Sequence, residues 1–215
     1  MTSDTPRKGR FITLEGGEGA GKTTQINRLK DALTKRGFDV LTTREPGGSE
    51  GAEQIRHLLV NGDVARWDSM TETLLHYAAR RDHVEKVIRP ALEQGTWVIS
   101  DRFADSTMAY QGYGHGLDLT VINGIYKLVL GEFSTDLTVI LDLDTEEGLK
   151  RANSRAEGED RYERMDIEFH QKLRQGFLEI ARTSPQRCAV IDASSDADTV
   201  FNALWDVISN RLSEV

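Results

Sequence analysis

Gly16, Gly21, Lys22 and Thr23 stand at the spacing G-x-x-x-x-G-K-[ST], and each residue type in that pattern has work to do at a phosphate. Glycines let backbone N–H groups close around phosphate oxygens, because no Cβ bars the approach. The lysine reaches the β- and γ-phosphates, and the threonine hydroxyl ligates Mg²⁺. The run Gly16, Gly17, Glu18, Gly19, Ala20, Gly21, Lys22, Thr23 and Thr24 is therefore the expected nucleotide-binding loop. An apolar β-type run at 11–14 precedes it and a helical pattern at 22–35 follows, the order in which such loops are built. The helix adds its positive N-terminal end. A flexible glycine turn would need neither neighbour. The expected chemistry is binding of a nucleoside triphosphate.

The elements that must position this loop follow from the rest of the pattern. Short β-type runs at 38–43, 96–100, 137–143 and 188–192 alternate with helical stretches at 52–59, 69–94, 105–111, 119–130, 145–155, 162–182 and 196–212. Such alternation implies a parallel five-stranded sheet with helices on both faces, an α/β fold of the P-loop NTPase type. Ser69 with Glu72 reads as a capping box. An apolar stripe through Leu74, Leu75, Ala78, Ala79, Val84, Val87 and Ile88 follows, with Pro90 expected to bend or shorten the helix. Ligands of such sheets sit outside the carboxyl ends of the strands. The loop at 16–24, the turn Arg44-Glu45-Pro46-Gly47-Gly48 and the pair Asp101-Arg102 should then share one crevice.

Bulk properties bound the class. The chain has 215 residues, enough for one α/β domain at 10–215 behind a polar tail at 1–9. A net charge of −8 argues against nucleic acid or an anionic membrane as the main partner. Cys188 is the single cysteine, so no intrachain disulfide forms, and a reducing cytoplasm is the expected location. No apolar run approaches membrane-spanning length.

Neither the Asn-Lys-x-Asp and Asp-x-x-Gly strings of a GTPase nor the Ser-Gly-Gly signature of a transporter ATPase occurs. A small P-loop protein with arginines near its strand ends suits phosphoryl transfer between two anions, chemistry that is mostly positioning and charge neutralisation. Glu15-Gly16-Gly17-Glu18-Gly19-Ala20-Gly21-Lys22-Thr23-Thr24, Thr43-Arg44-Glu45-Pro46-Gly47-Gly48, Asp101-Arg102-Phe103 and Ala109-Tyr110-Gln111-Gly112 together resemble the bacterial thymidylate kinases, over about residues 10–192. That resemblance implies ATP and Mg²⁺ as cofactors, dTMP as substrate, and transfer of the γ-phosphoryl group to give dTDP and ADP.

It also implies roles for individual residues. Arg102 and Arg56 match arginines that hold the dTMP phosphate, and Glu45 is either a positioning carboxylate or a turn residue. His76 stands where the family usually stacks a phenylalanine on thymine, so the chain departs from the pattern there. Arg80 matches the arginine that bonds the base carbonyl. Thr107, Tyr110 and Gln111 match contacts to base edge and sugar, with Tyr110 disfavouring a 2′-hydroxyl. Glu18 matches a carboxylate near the sugar and the magnesium shell. Asp101 is preferred over Asp142 and Asp144 as the residue behind Mg²⁺. Arg155 and Arg161, in a lid at about 151–163, are candidates for neutralising the transferring phosphoryl group. The family implies a homodimer. The alternatives are another nucleoside monophosphate kinase, acting on dUMP, CMP or GMP, and a non-catalytic ATP-binding module.

Overall fold

The computed structural model of the protein describes residues 9–153, 161–162 and 164–212. Five strands, β1 (Phe11–Glu15), β2 (Val40–Arg44), β3 (Trp97–Asp101), β4 (Leu137–Asp142) and β5 (Cys188–Asp192), pair in the order β2-β3-β1-β4-β5. Every pairing is parallel. Nine α-helices are described: α1 (Lys22–Lys35), α2 (Glu50–Val60), α3 (Ser69–His83), α4 (Arg89–Glu93), α5 (Ala104–Thr107), α6 (Leu119–Leu130), α7 (Thr145–Asn153), α8 (Ile167–Thr183) and α9 (Ala197–Arg211). The doubly covered parallel sheet is the architecture expected from the alternating pattern.

β1 is central, and its residues are buried on both faces, as a parallel strand under two helical layers requires. Ile12 and Leu14 join Leu29, Leu33, Leu204 and Ile208 beneath α1 and α9. Phe11 points the other way, into a core with Tyr77, Val98, Phe103 and Ile122. A third cluster seats α8 through Phe169, Leu173 and Phe177 against Ile140. Each fully buried leucine in these layers contributes roughly 1.5–3 kcal/mol. That anchorage fixes the height at which the loop after β1 and the turn after β3 emerge.

Several local expectations are corrected. The cap of α3 is Asp68, whose carboxylate accepts from the N–H groups of Met70 and Thr71, so Ser69 is already the first helical residue. Glu72 turns inward instead and is 1% exposed. The buried face of α3 carries Glu72, Thr73, His76, Tyr77, Ala79, Arg80 and His83, while Leu74 is 52% exposed. The polar side of this helix therefore faces the protein. Upstream of Pro90 the helix widens into a π-helical turn, Val84–Ile88, which accommodates the missing N–H and the ring's clash with the preceding turn. A second π-helical segment, Met108–Gly114, extends α5 and carries Tyr110 and Gln111. The helix expected from 162 starts at Ile167, where Asp166 accepts from Phe169 N.

Candidate active site

The loop between β1 and α1 can make its turns only with glycine. Gly19 has φ 69°, and a Cβ there would run into the backbone oxygen of Gly148. Gly21 has φ 86° and caps α1 without a side-chain bond, which leaves the first-turn N–H groups of α1 for an anion. Lys22 is buried, with Nζ donating to the carbonyls of Gly17 at 2.9 Å and Gly16 at 3.3 Å. Burial, then the charge of Arg102, lowers its pKa from the ordinary lysine value. The Thr23 hydroxyl donates to Asp101 Oδ2 at 3.4 Å, whereas Thr24 lies exposed on the first turn of α1. Asp142 and Asp144 are both engaged by Arg174, at 2.7 Å and 3.3 Å. Asp101 is thus the carboxylate that stands with the loop threonine.

Arg102 follows β3 with φ 69°, the one non-glycine residue with positive φ among those described. Hydrogen bonds hold the chain in that turn. Arg102 N donates to Leu14 O at 3.0 Å, Ser100 Oγ to Arg102 O at 2.8 Å, and Phe103 N to Glu15 Oε1 at 2.7 Å. Ser106 Oγ donates to the other Glu15 oxygen at 2.5 Å. Burial, followed by the charge of Asp105, pushes the Glu15 carboxyl up to about 8. So pinned, the Arg102 guanidinium crosses to the loop, donating to Gly16 O at 2.9 Å and Glu18 Oε1 at 2.7 Å. The Tyr110 hydroxyl donates to the same Glu18 oxygen at 2.6 Å. Burial opposes the charge of Glu18, but Arg102, Lys22 and the Tyr110 hydrogen bond outweigh it and hold the carboxyl at about 2.

The far end of the cleft is built by α3. Arg80 is 2% exposed, and its Nε donates to Glu45 Oε2 at 2.6 Å. Its terminal nitrogens reach Thr107 Oγ1 at 3.1 Å and Phe103 O at 3.0 Å. Glu45 meets His83 Nδ1 through its second oxygen at 3.0 Å, so it is a positioning carboxylate rather than a free turn residue. Thr107 is fully buried behind Arg80 and supports it without lining the cleft. Arg56, on α2, lines the cleft and donates to Pro46 O at 2.7 Å. His76 Nε2 lies 3.0 Å from the Tyr162 hydroxyl. Burial, then the charges of Arg80 and Arg161, depresses the His76 imidazole to about 3, so it is neutral near pH 7. Gln111 donates through Nε2 to Glu72 Oε1 at 2.7 Å, while its buried Oε1 has no hydrogen-bond partner among the described residues.

One cleft of about 460 Å³ opens at the carboxyl ends of β1, β2 and β3, with Glu15, Glu72, His83 and Thr107 behind its wall. Lys22, Arg44, Arg56, Arg80 and Arg102 line it against the carboxylates of Glu18, Glu45 and Asp101. It is a local cationic excess in a chain of net charge −8, as a site for polyphosphate requires. Arg161 is not brought there. It is 1% exposed, donates to the carbonyls of Leu59, Asp63 and Val64, and pairs with Glu72 Oε2 at 2.5 Å. Every face of its guanidinium is committed away from the loop, which corrects its expected placement beside the phosphates. Arg155 lies outside the described residues. Glu72 and Glu15 were not expected at the site. Glu15 borders the loop motif in sequence, but a capping box explained Glu72 too readily.

A glycine loop feeding a helix from the central strand, with an arginine-lined cleft across the neighbouring strand ends, defines a P-loop kinase of small anionic acceptors. Comparison with known proteins narrows the class. Residues 14–204 match the family model for thymidylate kinase. The chain is 56% identical over 205 residues to a thymidylate kinase of Caulobacter vibrioides, covering 95% of this chain and 98% of that one. It is 52% identical over 204 residues to a thymidylate kinase of Jannaschia sp., with 95% and 98% covered. The crystal structure of thymidylate kinase from Ehrlichia chaffeensis superposes with a TM-score of 0.76 at 37% identity, over 94% of this chain and 99% of that one. The chain belongs to the thymidylate kinase family, whose reaction is phosphoryl transfer to dTMP. No helix among the described residues is long and apolar enough to cross a membrane.

Proposed function

We propose that the chain transfers the γ-phosphoryl group of ATP in line to dTMP, giving dTDP and ADP for dTTP synthesis in the cytoplasm. The observation that carries the substrate reading is the Gln111 amide. Its Nε2 donates to Glu72, and its buried Oε1 has no hydrogen-bond partner among the described residues. A buried acceptor left unmade costs about 1–3 kcal/mol, and the N3–H of thymine is a donor that would satisfy it. Cytosine offers a lone pair at that position and would not. Arg80, locked by Glu45 and Thr107, stands ready for a base carbonyl, and His76, neutral and planar, lines the same wall.

In this reading the loop N–H groups at 16–24 and Lys22 hold the β- and γ-phosphates of ATP. Arg102 and Arg56 take the dTMP phosphate, since a guanidinium fork matches phosphate oxygens. Glu18, kept ionised, and Tyr110 border the sugar, where the phenol disfavours a 2′-hydroxyl. Thr23 and Asp101 supply the hard oxygen donors that suit Mg²⁺, an ion that takes few protein ligands and completes its shell with phosphate and water. When bound, Mg²⁺ supplies charge neutralisation between the β- and γ-phosphates. The acceptor phosphate is already ionised, so no strong base is needed. Arg155 keeps the expected role at the transferring phosphoryl, on the reading of the 151–163 lid alone. We take 10–215 as a single domain, supported by the one sheet that runs from β1 to β5.

The chain is further proposed to pair with a second copy through α2, α3 and α6. Those helices pack side by side and expose Leu58, Met70, Leu74 and Leu128, an apolar surface of the kind that marks an interface. The primary test is ADP release from ATP and Mg²⁺ with dTMP, dUMP, dCMP, CMP and GMP supplied separately. Release with dTMP far above the others is the expected result. Greater release with another nucleotide would discard the reading of Arg80 and Gln111. No release with any of them would leave an ATP-binding module.

A further inference from the structure

We propose that Glu72 is a positioning residue for base selection: clamped by Arg161, it fixes which end of the Gln111 amide faces the cleft. This rests on Gln111 being the group that reads the base. Glu72 and Arg161 are each 1% exposed, and they pair at 2.5 Å. Two buried charges persist together only when paired and otherwise hydrogen-bonded. Arg161 meets that condition with three backbone carbonyls, those of Leu59, Asp63 and Val64, at 2.9–3.1 Å. Glu72 meets it with Gln111 Nε2 at 2.7 Å and the Tyr162 hydroxyl at 3.1 Å, both on Oε1.

The consequence is directional. A carboxylate has acceptors only, so the Gln111 group facing Glu72 must be the NH₂, and the carbonyl oxygen must point the other way. An unconstrained glutamine rotates its amide and donates or accepts as the ligand asks. Here one N–H is held on Glu72, and the oxygen of a residue that lines the cleft is turned away from that carboxylate, available as an acceptor. The same carboxylate sets a second group. Tyr162 gives its proton to Glu72, so its oxygen accepts from His76 Nε2–H at 3.0 Å, which fixes the neutral tautomer of that ring. One buried ion pair thus sets the hydrogen-bonding sense of two residues in the cleft wall. It also ties them to the segment between α2 and α3, from which two of the three carbonyls on Arg161 come.

The test compares kcat/KM for dTMP and dCMP in the full-length enzyme and in Glu72→Gln. A glutamine at 72 donates as well as accepts, so the Gln111 amide is free to turn. The dTMP/dCMP ratio should fall about tenfold or more, the worth of one hydrogen bond of enforced sense, and KM for dTMP should move more than kcat. A merely structural role would lower the melting temperature and both kcat/KM values together. A folded Glu72→Gln enzyme with an unchanged ratio overturns the proposal. The double variant Glu72→Gln/Gln111→Glu restores a donor at 72 and an acceptor toward the cleft. The ratio should return toward wild type in it, and a folded double variant that discriminates no better than Glu72→Gln also overturns the proposal. Should Glu72→Gln not fold, the double variant carries the test, with a wild-type-like ratio expected and a lost ratio counting against it. Gln111→Leu separates the two layers: if it leaves the wild-type ratio intact, base reading lies elsewhere and the underlying substrate assignment fails first.

Discussion

Arg102 and Glu18 meet at 2.7 Å with the Tyr110 hydroxyl on the same carboxylate oxygen, so a loop carboxylate that would repel phosphate is neutralised within the wall of the site. The guanidinium that performs this also donates to the backbone of Gly16. One side chain therefore shapes the loop and lines the cleft.

Replacing Arg102 with alanine should raise KM for dTMP about 10- to 100-fold, the worth of a lost charged hydrogen bond, with a smaller change in KM for ATP. Steady-state kinetics with each substrate varied in turn measures both. A larger effect on ATP than on dTMP would move Arg102 to the donor side.

Lys22→Met should cut kcat at least about 10²-fold, the usual cost of removing one preorganised donor from a developing anion. Circular dichroism should stay that of the parent, because among the described residues Nζ donates to the carbonyls of Gly16 and Gly17 alone. Turnover near the parent value would refute the assignment of the loop.

His76 gives a pH signature. Its imidazole titrates at about 3 in the folded chain and at 6.5 in the unfolded one. Between those values the unfolded chain binds the extra proton, so stability falls as pH falls through that window, by up to about 1.4 kcal/mol per pH unit from this group. His76→Phe should flatten the slope between pH 6.5 and 4.5 in urea melts. Identical slopes would mean that His76 is charged or exposed in the native state.

The exposed face of α2, α3 and α6 carries Leu128 at 86% exposure. Leu128→Glu should shift the sedimenting species from dimer to monomer at micromolar concentration. A parent that sediments as a monomer would remove the dimer proposal.

The strands and the phosphate loop were legible because their signals are local: apolar runs, glycine spacing, a lysine and a threonine in fixed order. The side chains of α3 were legible only in part: His76 and Arg80 are named from the family resemblance and line the cleft, whereas Glu72 reads as a cap and Leu74 as core. Helical periodicity assigns apolar residues inward, yet α3 buries Glu72, His76, Arg80 and His83 and leaves Leu74 outside. Their partners lie 27 to 90 residues away, on Glu45, Thr107, Gln111, Arg161 and Tyr162. Arg161 illustrates the same limit. Among charged neighbours it reads as a lid arginine for the transferring phosphoryl group, and its burial is explained by distant partners, the carbonyls of Leu59, Asp63 and Val64 and the carboxylate of Glu72.

The left-handed backbone at Arg102 has an evolutionary reading. Holding a residue with a Cβ at such a φ costs on the order of 1–3 kcal/mol, and glycine would relieve that strain. Arg102→Gly would also strip Glu18 of its ion pair and Gly16 O of a donor, a loss of about 3–5 kcal/mol for a buried pair that outweighs the relief. A library screened for heat resistance alone should therefore keep arginine at 102, and glycine should rise there only where position 18 has also lost its carboxylate.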